Sequence, residues 1–449
     1  MATTSVEAKA KGSPVNRALL PPGPRLPVAM QTIRWGPRPI SFLSRSRRRY
    51  GDTFTVRLPE GESIVVLSDL SSVKEVFSLH ADEFSVDSGE VFLEPFLGRR
   101  SLLLLDGERH RKERRLLARS FRGDGIGAHT ALIEEATLRD LATWPKGKPF
   151  ALRPHMQAIT LEVILRAVFG FDLDERFERI RASFDRFLEV GSSYLILLPP
   201  FRKDVGSKSP WGRFLRLRAD VHRTVHDEIA LRRTAHDLGS RTDLLSLLIS
   251  ARDEDGEPLD DDSLFDELMT MLLAGQDTTA TALSWTFDLL THHPAVMDRL
   301  VASVDSGDDA YLDAVIKEAL RLRPVIPDVA RKLTRPMRIG GFDLPAGATL
   351  MTSIALLHRS PDVFPDPLEF RPDRFLQDGT DYNTWIPFGG GIRRCLGAAF
   401  ATLEIRAVLK TVLTHVRIRA SRRRLERPRR RAVTLIPKNG VRVVAEPRA

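Results

Sequence analysis

The chain has 449 residues, of which 42% are hydrophobic and 28% charged, so it is neither a small disulfide or zinc module nor a disordered or collagen-like chain. Lys and Arg number 68 against 59 Asp and Glu, a formal charge of +9, which raises nucleic acid or an acidic protein as partner. One cysteine forbids an intrachain disulfide and a Cys-rich zinc site, and points to a reducing compartment.

Residues 1–17 are small, polar and weakly basic, without the apolar centre of a secretory signal. They are expected to form a disordered tail ahead of one large domain over 18–445. No run reaches the roughly 18–20 apolar residues of a membrane span, so a cytoplasmic protein is expected. Pro21-Pro-Gly-Pro24 predicts an extended strap. Thr53–Leu58 and Ser63–Leu67 read as strands around a Pro59-Glu-Gly61 turn, and Asp69 as the cap of a helix reaching Ser78. Helical periods follow at Glu108–Phe121, Ala131–Leu141, Leu161–Val168, Glu175–Val190 and Pro210–Thr234. The longest helix spans Asp260–Leu290, acidic at its start and apolar nearly all round its centre, which predicts burial. A helix over Asp309–Arg323 stops at Pro324. Strands are expected at Met337–Phe342, at Thr349–Ser353 and near the C-terminus. Pro361 to Pro387 holds five prolines and reads as an ordered meander before a last helix, Leu396–His415. The Arg422–Arg431 block reads as a solvated loop, with a nucleic-acid or acidic-membrane patch as its rival.

The cysteine lies in Phe388-Gly-Gly-Gly-Ile-Arg-Arg-Cys395-Leu-Gly397. Three glycines let the backbone approach something flat. A helix start behind the sulfur, with Arg393 and Arg394 beside it, favours the thiolate. One cysteine cannot hold an iron–sulfur cluster, but it can be the axial ligand of a haem. The alternative is a structural cysteine after a Gly-rich turn. The spaced pattern Phe388, Gly391, Arg393, Cys395 and Gly397 arises by chance in on the order of one in ten million windows.

This segment resembles the haem-binding signature of the cytochrome P-450 superfamily, and the resemblance runs along nearly the whole chain, in the manner of soluble bacterial members. It implies a mainly helical fold with small sheets, one large domain, and haem b between the long central helix and the cysteine-loop helix. Other motifs appear in family order. Glu318-Ala-Leu-Arg321, alone an ordinary surface pair, resembles with Arg374 the family's buried Glu–Arg–Arg triad, a structural lock. Ala274-Gly-Gln-Asp-Thr-Thr279, alone a kink in a buried helix, resembles the family's oxygen groove. It implies Thr278 as the hydrogen-bonding alcohol and Asp277 as the proton relay. His110 and Arg114, four apart on a helix otherwise readable as a basic surface, match a propionate-binding pair, as do Arg331 and Arg393.

The resemblance implies a monooxygenase acting on a lipophilic small molecule, of the fatty acid, terpene, steroid or polyketide class. Electrons would come from NAD(P)H through a separate ferredoxin and ferredoxin reductase. An acidic ferredoxin would dock on Arg109, Arg111, Lys112, Arg115 and Arg394. A haem sensor without catalysis and a peroxide-driven peroxygenase are the rivals, and Asp277-Thr278 argues against both. Pocket walls are expected from Val91–Leu103 (Phe92 and Phe96 among them), from Val190–Phe201 with Tyr194, Leu195, Ile196 and Leu197, from the face before Ala274, from Val325–Val329 and from Leu435–Pro437. Tyr194–Phe201 could instead be a lid touching a membrane.

Overall fold

Long buried helices surround one central helix, and small sheets lie to the side. The computed structural model describes residues 19–59, 62–86, 93–120, 127, 129–191, 202–204, 206, 209–254, 256–376 and 383–448. The expected tail, the Tyr194–Phe201 segment and Phe92 lie outside them.

The chain begins with the strap: Pro22 O accepts from Thr55 N at 3.0 Å, and a side chain on Gly23 would collide with Thr55 O. Helices α1 (Val28–Trp35) and α2 (Pro39–Tyr50) come next. Strands β1 (Thr53–Arg57) and β2 (Ser63–Leu67) then pair antiparallel, Thr53 opposite Leu67. Asp69 caps α3 (Leu70–Phe77) by accepting from Ser72 N at 2.9 Å. After β3 (Phe84–Ser85) come α4 (Gly107–Ser120), α5 (Thr130–Leu141) and β4 (Phe150–Ala151). Four helices follow: α6 (Arg153–Phe169), α7 (Glu175–Gly191), α8 (Pro210–Arg233) and α9 (Leu244–Ser250).

The central helix α10 (Asp261–His292) starts behind Asp260, which accepts from Ser263 N at 2.9 Å. Helices α11 (Pro294–Ser306) and α12 (Asp309–Leu322) lead to β5 (Asp328–Leu333), β6 (Met337–Ile339), β7 (Phe342–Leu344) and β8 (Thr349–Ser353). The one strand expected at Met337–Phe342 is thus two, folded back at Gly340 and Gly341, whose φ values of +58° and +82° suit glycine. A short helix α13 (Ile354–Leu357), the meander, α14 (Ala398–His415) and strands β9 (Val416–Ala420), β10 (Pro428–Arg431), β11 (Thr434–Pro437) and β12 (Arg442–Pro447) complete the chain.

The largest sheet runs in the order β1-β2-β8-β5-β3, with β2 and β8 parallel and its other neighbours antiparallel. One core joins α6, α10, α12 and α14 through Val163, Leu283, Phe287, Ile316 and Val408. A second, rich in phenylalanine, packs Phe177, Phe184, Phe187 and Phe214 of α7 and α8 against Phe265 of α10. Helix α6 begins eight residues before the expected Leu161. Arg153, His155 and Gln157 of its early turns alternate along the chain and are half-buried, so no helical hydrophobic period marks them. The Arg422–Arg431 block is not one solvated loop: Pro428–Arg431 is a strand, and Arg430 turns inward to Asp328 at 3.7 Å.

The meander is tied to the core by a carboxylate with no water contact. Glu318, fully buried, accepts from Arg321 at 2.6 and 2.9 Å, from Arg374 Nε at 3.0 Å and from Arg371 N at 2.9 Å. Arg321 also donates to the carbonyls of His358, Pro367 and Glu369. Removing one partner of such a pair leaves a buried charge unmatched, at a cost of about 3–5 kcal/mol. His358 extends the lock. Its Nδ1 donates to Arg321 O at 3.2 Å, and its Nε2 accepts from Ile386 N at 3.0 Å, two residues before Phe388.

Burial, with Arg321 next, pushes the His358 pKa down to about 3. In the unfolded chain it titrates near 6.5. Between these values the unfolded state alone binds the proton, so stability falls as pH falls from about 6.5 toward about 3, by up to ~1.4 kcal/mol per unit. Urea midpoints measured against pH should therefore fall more steeply for the wild type than for His358→Gln, which keeps a donor and an acceptor but does not titrate. Parallel profiles would mean that His358 is not held neutral.

Candidate functional site

The cysteine loop is shaped by contacts at both ends. Cys395 N donates to Phe388 O at 2.9 Å, closing the loop. Gly389 and Gly391 have φ of +68° and +63°. A Cβ on Gly390 would strike the Phe77 ring at 2.1 Å, and one on Gly391 would strike Phe77 O at 2.2 Å. The glycines therefore admit α3 against the loop. Gly397 differs: a Cβ there would meet nothing within 4 Å, and the residue lines a cavity.

That cavity measures about 730 Å³ and has mostly apolar walls. Cys395, Phe388, Gly389 and Gly397 face it from the loop, and Thr270, Met271, Ala274 and Thr278 from α10. Leu102, Leu103, Val325, Ile326 and Val329 add walls that the sequence suggests. Ile164, Ala167 and Val168 of α6, and Leu244 and Leu247 of α9, add walls that it does not. Two expectations fail among the described residues. Phe96 packs on Phe187 and Phe214, at 6.2 and 4.9 Å, in the phenylalanine core. Leu435 is buried away from the cavity, with its carbonyl accepting from Trp285 Nε1 at 2.8 Å.

Four basic groups gather at one part of the wall. His110 and Arg114 come from α4, Arg331 from β5 and Arg393 from the cysteine loop. Burial, then the charges of Arg393, Arg114 and Arg331, push His110 down to about 3, so it is neutral. Burial and Arg393 lower Arg331 to about 10, and burial lowers Arg393 to about 10 against the pull of Asp106. Arg393 donates to Leu102 O, Leu105 O and Asp106, the last at 2.7 Å, and Arg114 to Arg394 O at 2.6 Å. Buried His110 Nδ1 and Arg393 Nε have no hydrogen-bond partner. Unpartnered donors and crowded cations beside an apolar cavity suit a flat ligand with anionic substituents. Haem, with its two carboxylates and an iron for the sulfur, fits these residues.

Cys395 lies deep in the protein but is open to the cavity. Burial pushes its thiol up, while the Gly397 N–H, Arg394 and Arg114 pull it down. The expectation that the loop alone favours the thiolate is thus reversed, because desolvation outweighs the cations. Arg393, one of the two arginines expected to help, is turned to Asp106. A coordinated metal would restore the thiolate, since it deprotonates a bound thiol outright.

Thr278 Oγ1 donates back to Ala274 O at 2.5 Å, within a helix whose α assignment is unbroken. Gly275 serves close packing: a Cβ there would lie 3.1 Å from Ile164 Cδ1. Asp277 is not on the cavity wall. It accepts from Arg153, from Gln157 Nε2 at 3.0 Å and from Arg431 Nη1 at 3.3 Å. Two carboxylates that the sequence does not single out hold the wall segment at Leu102. Asp266 accepts from Arg100 N at 2.9 Å and Glu267 from Leu102 N at 2.6 Å. Burial, then Glu113, raises Glu267 well above the carboxylate range. A run of acids on a helix reads as a solvated face, so no sequence signal marks them.

A family model for cytochrome P450 matches residues 20–443. The protein named cytochrome P450 135B1 in Mycobacterium tuberculosis is 40% identical over 431 residues, 94% of this chain and 91% of its own. Cytochrome P450 138 of the same species is 38% identical over 98% of this chain and 99% of its own. Among solved structures, the retinoic acid-bound cyanobacterial CYP120A1 superposes with a TM-score of 0.82 at 24% identity, covering 96% of this chain and 100% of that one. The haem domain of cytochrome P450DA gives 0.83 at 22% identity, covering 96% and 98%.

Proposed function

This chain belongs to the cytochrome P450 family of haem-thiolate monooxygenases, and we propose that it hydroxylates or epoxidises a lipophilic small molecule with electrons from separate ferredoxin and reductase partners. The observation that carries this reading is an apolar cavity shared by Cys395, Thr278 and the four basic groups. Haem, when bound, supplies the redox chemistry and the activation of dioxygen.

The chain's own residues do the rest. Cys395 supplies the thiolate, and Phe388, Gly391 and Gly397 shape its loop. His110, Arg114, Arg331 and Arg393 bind the two haem carboxylates, with His110 Nδ1 and Arg393 Nε free to donate. Thr278 holds its hydroxyl at the cavity face of α10, where it can donate to oxygen under reduction. Asp277 relays protons by leaving Arg153 or Arg431, of which Arg431 is the more exposed. Glu318, Arg321 and Arg374 are structural. Apolar walls exclude water and favour a fatty acid, terpene, steroid or polyketide. Retinoic acid, bound by the cyanobacterial neighbour, is of that lipophilic kind.

Among the described residues no helix is long and apolar enough to cross a membrane. A thiol that must stay free for iron suits the reducing cytoplasm. Arg109, Arg111, Lys112, Arg115 and Arg394 are exposed, and we assign ferredoxin docking to this surface. Glu108 pairs with Arg111 and Arg115, and Glu254 with Arg115, so the surface is partly neutralised. No groove-reading motif supports nucleic acid as partner.

Four measurements test the reading. Cys395→Ser should abolish the thiolate signature of the reduced carbon monoxide complex; its retention would remove Cys395 as ligand. A lipophilic panel should shift the ferric haem from low to high spin, and with the responding class Thr278→Ala should divert most electrons to peroxide. Unchanged coupling would remove Thr278 from its role. Turnover with an acidic ferredoxin should slow as ionic strength rises; a flat profile would rule out charge-steered docking.

A further inference from the structure

Two histidines lie where α8 meets the start of α10. His222 and His226 are four apart on α8 and so share a face. Their rings stack with centroids 4.1 Å apart, against the Phe265 ring at 4.5 and 5.5 Å. Asp262 stands in the first turn of α10. One ring nitrogen from each histidine and one Asp262 oxygen all lie within 4.8 Å of one another. His226 Nε2 is buried without a hydrogen-bond partner, and Asp262 is exposed, so an ion could enter from solvent.

We propose that His222, His226 and Asp262 form a binding site for a divalent transition-metal ion, with Zn2+ as the reference case, separate from the haem cavity. Two imidazoles and one carboxylate are the donors of Zn2+, Ni2+ or Cu2+ sites, whereas Mg2+ and Ca2+ take oxygen. Bonds of about 2.0–2.1 Å put tetrahedral ligand atoms roughly 3.3 Å apart, so the three side chains close by about an ångström and water fills the fourth position. Imidazole must be neutral to bind. Burial, then His226 and Arg218, hold His222 below its usual pKa, with Asp262 opposing them.

The opposing charges are Arg218, one turn before His222, and Arg100, which reaches Asp262 at 3.7 Å. Arg100 also pairs with Asp260, and Asp266 faces Arg218, so acidic groups offset both cations. The site takes two ligands from α8 and one from α10. An ion there ties the two helices together, two turns ahead of Thr270 and Met271 on the cavity wall.

The test is calorimetric titration of tag-free, chelator-treated holoenzyme with zinc chloride, alongside thermal unfolding. The wild type should bind one zinc ion per chain, and its unfolding midpoint should rise with zinc. His226→Asn should weaken binding by more than roughly tenfold, the scale reached even by outer-shell changes, and abolish the thermal shift. Asp262→Asn, a surface change, should weaken binding severalfold in a protein whose thiolate spectrum attests its fold. The absence of saturable zinc binding by the wild type would overturn the proposal. So would equal affinity in the wild type and both variants, which would place the metal on other histidines.

Discussion

A charge sealed from water dictates much of this architecture. Glu318 and Arg321 are fully buried, and neither is tolerable without the other. Satisfying them takes more than the pair itself. Arg374, the Arg371 amide and the carbonyls of His358, Pro367 and Glu369 are drawn in, so a proline-rich segment with little regular structure is held as firmly as a helix. His358 passes that constraint to Ile386 and on to the cysteine loop. The cysteine loop is thus positioned from both sides: by this polar network and by Phe77, which fits only because Gly390 and Gly391 lack side chains.

The cavity shows a complementary imbalance. Four basic groups crowd one part of its wall, and Asp106 is the carboxylate paired among them. Burial first, and their mutual repulsion second, lower the pKa values of His110 and Arg331. Such a cluster is costly alone and favourable around a dianion, so these residues disfavour a tightly closed empty site. The thiol follows the same logic: burial favours its protonated form, and a coordinated metal would reverse that.

The parts legible in the sequence share a local cause. Spacing within a loop or turn exposed the cysteine motif, the Glu318–Arg321 pair, the cap Asp69 and the acidic start of the long helix. Failures came where the cause lies elsewhere in the chain. Phe96 belongs to an aromatic core because Phe187 and Phe214 arrive from other helices. Arg430 and Arg431 leave the solvent because Asp328 and Asp277 wait for them. His358 carries no motif of its own; only the carbonyl and amide on either side of it reveal its role.

The grip on the cysteine loop also has a temporal side. Arg393 is held by Leu102 O, 291 positions earlier, and the loop rests on Phe77, earlier still. A ribosome adding about 5–20 residues each second needs tens of seconds to bring these partners together. During that interval the early helices and the first strands must persist with their apolar faces unmatched. The cavity walls from α4 and α6 are made long before the cysteine loop, so a ligand that needs both can be held only late in synthesis.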